Sequence, residues 1–383
     1  MKARDYANNI IYALGHRDRV SQVFLGNLPL SVLDRLVPSM QESFPALTCL
    51  EIEPMDGEPP LVLQDSFLGG SAPCLRSLRL YSVRFPALQK LLLSASNLVN
   101  FELLTIPVSA YISPEAISTL LPSFPRLEVF YLGFYPPAMD PRPAIQHPPP
   151  TRVDLPSLTR LWFSGHNGYL DQLVARINAP LLYEFEMVFL NQGGLDVSQL
   201  IEFIGRLEKF KTLDRAEVFL GNQIVNLMLS SQKETPAVNC PILAVRSEYD
   251  PSEWQFLHLA QVDSSFMTLL SSVERLDIGE DPHSSPVLED DVENFEWLRL
   301  LFPFLAVKDL YLSGVPGLNV VRTLRELDEE GVKVVLPALQ RVFLEGLPPS
   351  EAMWEAIKPF MAMRQLSGYP VTIGCWEGMR ADY

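Results

Sequence analysis

The chain has 383 residues, 48% of them apolar and 20% charged, which is enough apolar material for a buried core and too much for wholesale disorder. Its length exceeds the roughly 250–300 residues at which one compact core stops growing, so two domains or an elongated repeat array is expected. With 30 basic and 46 acidic side chains the formal charge is −16, which disfavours binding to nucleic acid or to an anionic membrane surface. Cys49, Cys74, Cys240 and Cys375 lie far apart with no C-x-x-C pair, so reduced thiols are expected rather than a metal ribbon or disulfide framework. The opening segment has only a short apolar run, Ile10 to Leu14, too short for a signal-peptide core. The longest later run, at 300–307, is broken by Pro303. An intracellular protein, cytoplasmic or nuclear, with no membrane partner is the expectation.

A short pattern recurs along the chain, with aliphatic or aromatic residues at positions 1, 4 and 6. It starts with Val20, Val23 and Leu25, then Leu47, Leu50 and Ile52, then Leu75, Leu78 and Leu80. Leu98, Phe101 and Leu103 follow, then Leu127, Phe130 and Leu132, then Leu158, Leu161 and Phe163, then Leu182, Phe185 and Met187. After a gap come Val273, Leu276 and Ile278, then Val307, Leu310 and Leu312, then Leu339, Val342 and Leu344. First anchors recur every 23 to 34 residues except across one 91-residue gap, which predicts degenerate repeats over 213–262, with TLDRAEV near 212–218 as one candidate. FPALQKLLL also matches, but it lies too close to the Leu98 anchor and reads as helix.

Helical spacing fills the intervals. Ser113 is a predicted N-cap before Pro114 at the first helical position, for a helix over 113–121. Asp196 with Gln199, and Ser252 with Gln255, have capping-box-like spacing. Helices are also predicted over 291–305 and 350–366, the latter kinked or ended at Pro359. Repeated strand-then-helix units require parallel strands with the helices on one side. Because helices need about 8–10 Å and strands about 4.8 Å, such a stack should curve with its strands inside. The fold class expected is therefore α/β, a leucine-rich-repeat-like horseshoe solenoid spanning 1–383 with strands on the concave face and helices on the convex face.

Eight residues beyond each first anchor stand Leu28, Met55, Val83, Ile106, Tyr135, His166, Leu190, Asp281, Val315 and Leu347, so no asparagine ladder is expected. Leu28, Ile106, Val315 and Leu347, among others, precede a proline, which can fix the exit from the strand. The proline-dense stretch 134–156 lacks a helical face and reads as a polyproline-like spacer loop.

Four blocks carry a resemblance to a known family: NNIIYALGHRDRVSQVFL, LVLQDSFLGGSAPCLRSLRL, LLLSASNLVNFELLTIPVSAYISPEAI and MAMRQLSGYPVTIGCWE. Together they resemble the F-box/leucine-rich-repeat-like proteins of mushroom-forming basidiomycete fungi. The resemblance implies a substrate receptor of a Skp–cullin–F-box ubiquitin ligase, in which an N-terminal F-box binds the Skp adaptor and the repeats hold the target. No F-box is recognisable ahead of Val20, so adaptor binding is expected only if an F-box is encoded upstream.

Chemistry-bearing motifs are sparse. The five histidines lack zinc-binding spacing, and neither a G-x-S-x-G elbow nor a phosphate-binding G-x-x-x-x-G-K-[ST] loop occurs. SGHNG at 164–168 reads as a loop, and the acidic runs 288–296 and 325–331 read as solvated helix faces. No catalytic residue, cofactor or metal is expected. In the hexamer, position 5 alternates away from the buried anchors and should line the concave face. Those residues are Phe24, Glu51, Arg79, Glu102, Tyr131, Trp162, Glu186, Asp277, Tyr311 and Phe343, and Arg160 alternates to the same face as Trp162. Aromatics among charged neighbours are the composition of binding hot spots. A noncatalytic recognition surface for a protein partner is the expectation, with a ubiquitin-independent scaffold as the alternative and a hydrolase a distant third.

Overall fold

A computed structural model describes residues 2–135, 152–190, 197–221, 224–231, 241–248, 266–281, 294–328, 330–346 and 351–376. The chain divides into two compact units, Met1–Leu182 with Glu202–Leu207, and Tyr183–Ile201 with Glu208–Tyr383. Both are mixed α/β, built on mostly parallel strands joined through helices.

In the first unit, six parallel strands lie side by side in chain order. They are β1 (Gln22–Leu28), β2 (Cys49–Pro54), β4 (Ser77–Tyr81), β6 (Asn100–Ile106), β7 (Val129–Phe134) and β9 (Arg160–Gly165). Two small parallel pairs accompany them: β3 (Leu61–Val62) with β5 (Val83–Arg84), and β8 (Val153–Asp154) with β10 (Ile177–Asn178). The helices are α1 (Lys2–Leu14), α2 (Leu30–Leu36), α3 (Leu88–Ser94), α4 (Pro114–Leu120) and α5 (Asn167–Val174). Ser113 does cap α4, its hydroxyl accepting from the Ala116 N–H at 3.2 Å. His166, read from sequence as a loop residue, caps α5 by accepting from the Gly168 N–H at 3.2 Å. A full helix per repeat is not realised everywhere. Between β2 and β4 the return carries β3 and a short 3-10 turn, Phe67–Gly70, in which Leu68 and Gly69 turn left-handed, in place of an α-helix.

The anchor pattern is the core. Every residue at positions 1, 4 and 6 is buried except half-buried Val20. Leu78, Phe130 and Leu310 are all completely buried. Successive fourth positions touch across the strands; the Phe101 and Phe130 rings stack at 5.6 Å, 8° apart. The strand exit is set one residue before the positions considered from sequence. Asn27, Ser82, Thr105, Gly314 and Gly346, seven beyond their first anchors, all have positive φ. The left-handed residue follows the last strand residue at Ser82 and Gly346 and shifts the pairing just before the strand ends at Asn27 and Thr105; glycine or asparagine adopts it at least cost, which is why Thr105 is the unexpected member.

The second unit contains β11 (Glu184–Leu190), β12 (Arg215–Gly221), β13 (Ile224–Ser230), β14 (Ile242–Glu248), β15 (Arg275–Glu280), β16 (Asp309–Leu312), β17 (Arg341–Glu345) and β18 (Thr372–Trp376). Their spatial order is β11-β14-β13-β12-β15-β16-β17-β18. Helix α6 (Ser198–Gly205) precedes β12, and α7 (Asn294–Leu301), α8 (Gly314–Arg325), α9 (Gly331–Val334) and α10 (Glu351–Leu366) follow β15. Helix α10 runs on through Pro359 to Leu366 rather than ending there.

The stretch 213–262, expected to hold degenerate repeats, departs from the strand–helix rhythm. TLDRAEV does become a strand, β12, but it pairs antiparallel with β13, and β13 pairs antiparallel with β14. Each strand is apolar at alternate positions, so an antiparallel meander buries the same stripe as a parallel repeat. Residues 136–151, most of the proline-dense stretch, and both expected helix starts at Asp196 and Ser252 lie outside the described residues.

Candidate functional site

Parallel pairing without slippage turns a sequence position into a spatial row. In the first unit Phe24 pairs with Glu51, Glu51 with Arg79, Arg79 with Glu102, Glu102 with Tyr131, and Tyr131 with Trp162. Six residues chosen from sequence spacing thus form one line across six strands. In the second unit the corresponding row runs Glu186, Ala244, Met228, Glu217, Asp277, Tyr311, Phe343, Gly374. The meander therefore inserts Ala244, Met228 and Glu217 between the expected Glu186 and Asp277.

Two aromatic groups stand on these faces. In the first unit the Tyr131 and Trp162 rings, both half-buried, lie 6.1 Å apart and tilted by 49°. Trp162 leans across Gly133 on the neighbouring strand. A Cβ there would sit 2.8 Å from the indole and 3.2 Å from Leu104, so only glycine leaves room for this ring position. At the far side of the same unit Phe24 is 58% exposed and lines a groove of about 400 Å³ with Gln22, Glu51, Arg76, Arg79 and Asn100.

In the second unit Tyr311 stacks on Phe343 at 4.3 Å, 10° from parallel, and Trp376 meets Tyr311 edge-on at 5.2 Å. The Arg275 guanidinium lies 3.8 Å from the centre of the Tyr311 ring. Gly374 lets Phe343 lie against the last strand, where a Cβ would come within 2.7 Å of the ring.

The charged members of the row are less open than the sequence implied. Glu102 is almost fully buried and Asp277 completely so, which corrects their expected place as exposed contact residues. The cause is local pairing. Arg79 donates through Nε to Glu102 at 2.8 Å and reaches Glu51 at 3.5 Å. Asp277 accepts from Arg215 at 2.7 Å and from Arg275 at 3.0 Å, while Arg215 also pairs with Glu217 at 2.5 Å. Short carboxylates lie down against the sheet and the longer arginines lie over them. Burial raises the Glu102 carboxyl above its ordinary range, with Arg79 opposing the rise. Burial likewise raises Glu217, against the pull of Arg215. Glu186 is raised by burial and then by neighbouring Glu184.

Phe24, Arg160, Tyr131, Trp162, Tyr311 and Phe343 present accessible surface as expected. Sequence reasoning missed Glu217, Arg275, Trp376 and the glycines at 133 and 374. Glu217 was within reach, being the fifth residue of TLDRAEV counted from Leu213. The strand holding Trp376 was not, because Pro370, Ile373 and Cys375 stand at its anchor positions and break the apolar triplet.

Among the described residues no group of three or more His, Cys, Asp or Glu side chains is placed to hold a metal ion. No described helix is long and apolar enough to cross a membrane. No protein-family model matches the chain, nor does any curated protein. What the two faces offer chemically is contact: planar rings, guanidinium groups and paired carboxylates on a hydrogen-bonded backbone.

Proposed function

We propose that the chain is a noncatalytic protein-recognition solenoid of the leucine-rich-repeat type, whose concave strand face holds a protein partner. In this reading it corresponds to the target-binding region of F-box/leucine-rich-repeat ubiquitin-ligase receptors, the family its sequence resembles. The Tyr131–Trp162 pair carries the proposal. Two large rings stay half-exposed on adjacent strands, and Gly133 leaves the space that one of them occupies. Burying such rings against a partner removes a large apolar area at small entropic cost, since each has only two side-chain torsions. Tyr311, Phe343 and Trp376 supply a comparable surface in the second unit.

The test is affinity capture with residues 1–383, comparing the parent with the Tyr131→Ala/Trp162→Ala variant. A Leu93→Ala variant serves as control, since Leu93 is an exposed residue of α3 away from the face. Partners held by the parent and the control should be lost from the double variant, with the melting temperature of each protein recorded alongside. Retention of the same partners by a folded double variant would overturn the proposal.

A further inference from the structure

Arginines on the two strand faces are used differently. In the second unit Arg215, Arg275 and Arg341 are each fixed by a carboxylate: Arg341 holds Asp309 at 2.5 Å, and the other two share Asp277. In the first unit Arg79 is similarly committed to Glu51 and Glu102. Arg76 and Arg160 are not. Both are exposed, and neither guanidinium makes an ion pair or hydrogen bond among the described residues. Arg76 precedes β4 and lines the groove beside Phe24 and Asn100; Arg160 opens β9, two residues before Trp162. The acidic groups around them are Glu51, which lines the same groove as Arg76 and is reached by Arg79 at 3.5 Å, Glu102, buried and already held by Arg79, and Glu128, exposed just ahead of β7. A chain with a formal charge of −16 therefore leaves one uncommitted cation beside its Tyr131–Trp162 shelf and a second in the groove lined by Phe24.

We propose that this face takes an acidic, aromatic-bearing protein segment in extended form, with a carboxylate on Arg160, an apolar side chain on Tyr131 and Trp162, and a second carboxylate towards Arg76. The inference rests on the recognition reading above and names the chemistry of its partner. Complementarity of charge decides the orientation: arginine forks match carboxylates two hydrogen bonds at a time, and the ring pair fixes where the apolar residue sits. Arg76 and Arg160 begin strands three places apart, so they stand roughly 14 Å from each other at the backbone, a span of about four extended residues. A basic partner would meet the same two cations without compensation, which sets the selectivity.

The probe is a random copolymer of glutamate and tyrosine, titrated into residues 1–383 while tryptophan fluorescence and anisotropy are followed. Saturable binding is expected, weakened about tenfold by Arg160→Ala and further by Arg76→Ala/Arg160→Ala. Neither side chain makes an ion pair or hydrogen bond among the described residues, so melting temperatures should stay put. Raising the salt should weaken binding by the parent and change the double variant little. Equal binding of polyglutamate would overturn the role of the ring shelf. Equal binding of polylysine, equal competition by single-stranded oligouridylate, or an undiminished affinity of Arg160→Ala would overturn the assignment of an acidic protein segment. If the copolymer fails while Trp162-dependent capture persists, this inference falls and the recognition reading stands; if both fail, both fall.

Discussion

Asp277 is the member of the second face whose loss should be felt most. Its carboxylate is fully buried and accepts from Arg215 at 2.7 Å and Arg275 at 3.0 Å. Replacing it with alanine removes two charge-assisted hydrogen bonds, each worth about 1.5–3 kcal/mol when buried. It also takes that carboxylate from Arg275, while Arg215 keeps Glu217 at 2.5 Å; breaking a wholly buried pair this way costs about 3–5 kcal/mol. Here the arginine side chains keep 28% and 23% of their exposure, so water recovers part of that loss. The expected destabilisation is therefore about 2–4 kcal/mol. Asp277→Asn should cost less, because the amide oxygen still accepts one bond. The effect should reach the rings, since Arg275, which Asp277 holds, lies 3.8 Å from the centre of the Tyr311 ring. Urea titration followed by near-ultraviolet circular dichroism reads both consequences, the shift in midpoint and the loss of the aromatic signal. A change below about 1 kcal/mol, with the aromatic signal intact, would refute the idea that this carboxylate organises the face.

Two further predictions bear on the core and on the buried glutamates. Leu78→Ala empties a completely buried fourth position and should cost about 2–5 kcal/mol by urea denaturation, whereas a surface-sized effect would contradict the repeat core. Glu186→Gln should raise the melting temperature at neutral pH. The folded-state carboxyl is shifted upward, so its ionised form burdens the fold above the shifted value and ceases to do so below the ordinary value near 4.5. The advantage of the glutamine should accordingly fade as the pH falls into the carboxylate range; a difference independent of pH would rule out the electrostatic origin.

Much of the molecule was legible because one number, the two-residue alternation of a strand, was combined with another, the repeat interval. Leu50, Leu78, Phe101 and Phe130 had to point the same way once their intervals matched, and position 5 then had to point the other way. Where pairing is parallel and in register, as from Phe24 to Trp162, the row follows directly. The reasoning stopped at β12, β13 and β14, because alternation is identical for parallel and antiparallel strands and the sequence over 213–262 does not distinguish them. Side-chain pairing was hidden for a different reason. The fifth-position list sets Arg79 beside Glu102 but does not say that the arginine will lie over a buried carboxylate. It does not contain Arg215 or Arg275, both at position 3 of their hexamers, which reach Asp277 from outside the row.

Side-chain pairing also separates a sheet face that holds itself together from one that is ready for a partner. On the second unit the face is closed: Arg275 joins Asp277 to Tyr311, Tyr311 stacks on Phe343, and Phe343 rests on Gly374. Each group there is oriented before any partner arrives, so a ligand gains rigid rings and little new charge pairing. On the first unit charge pairing closes the face only around Arg79. Towards β9 it stays open, with Arg160 exposed beside a ring pair that glycine has made room for. An unpaired guanidinium in water costs the free protein little, yet it becomes a strong donor once a carboxylate and an apolar side chain exclude solvent together. Specificity for an acidic segment should therefore reside in the charge of the first unit, with its rings contributing shape. Charge reversal confined to Arg160 should change which peptides bind, whereas Tyr131→Ala should weaken all binders alike. Selection of peptides from a display library against the two variants compares these outcomes; an unchanged peptide preference with Arg160→Glu would refute the division.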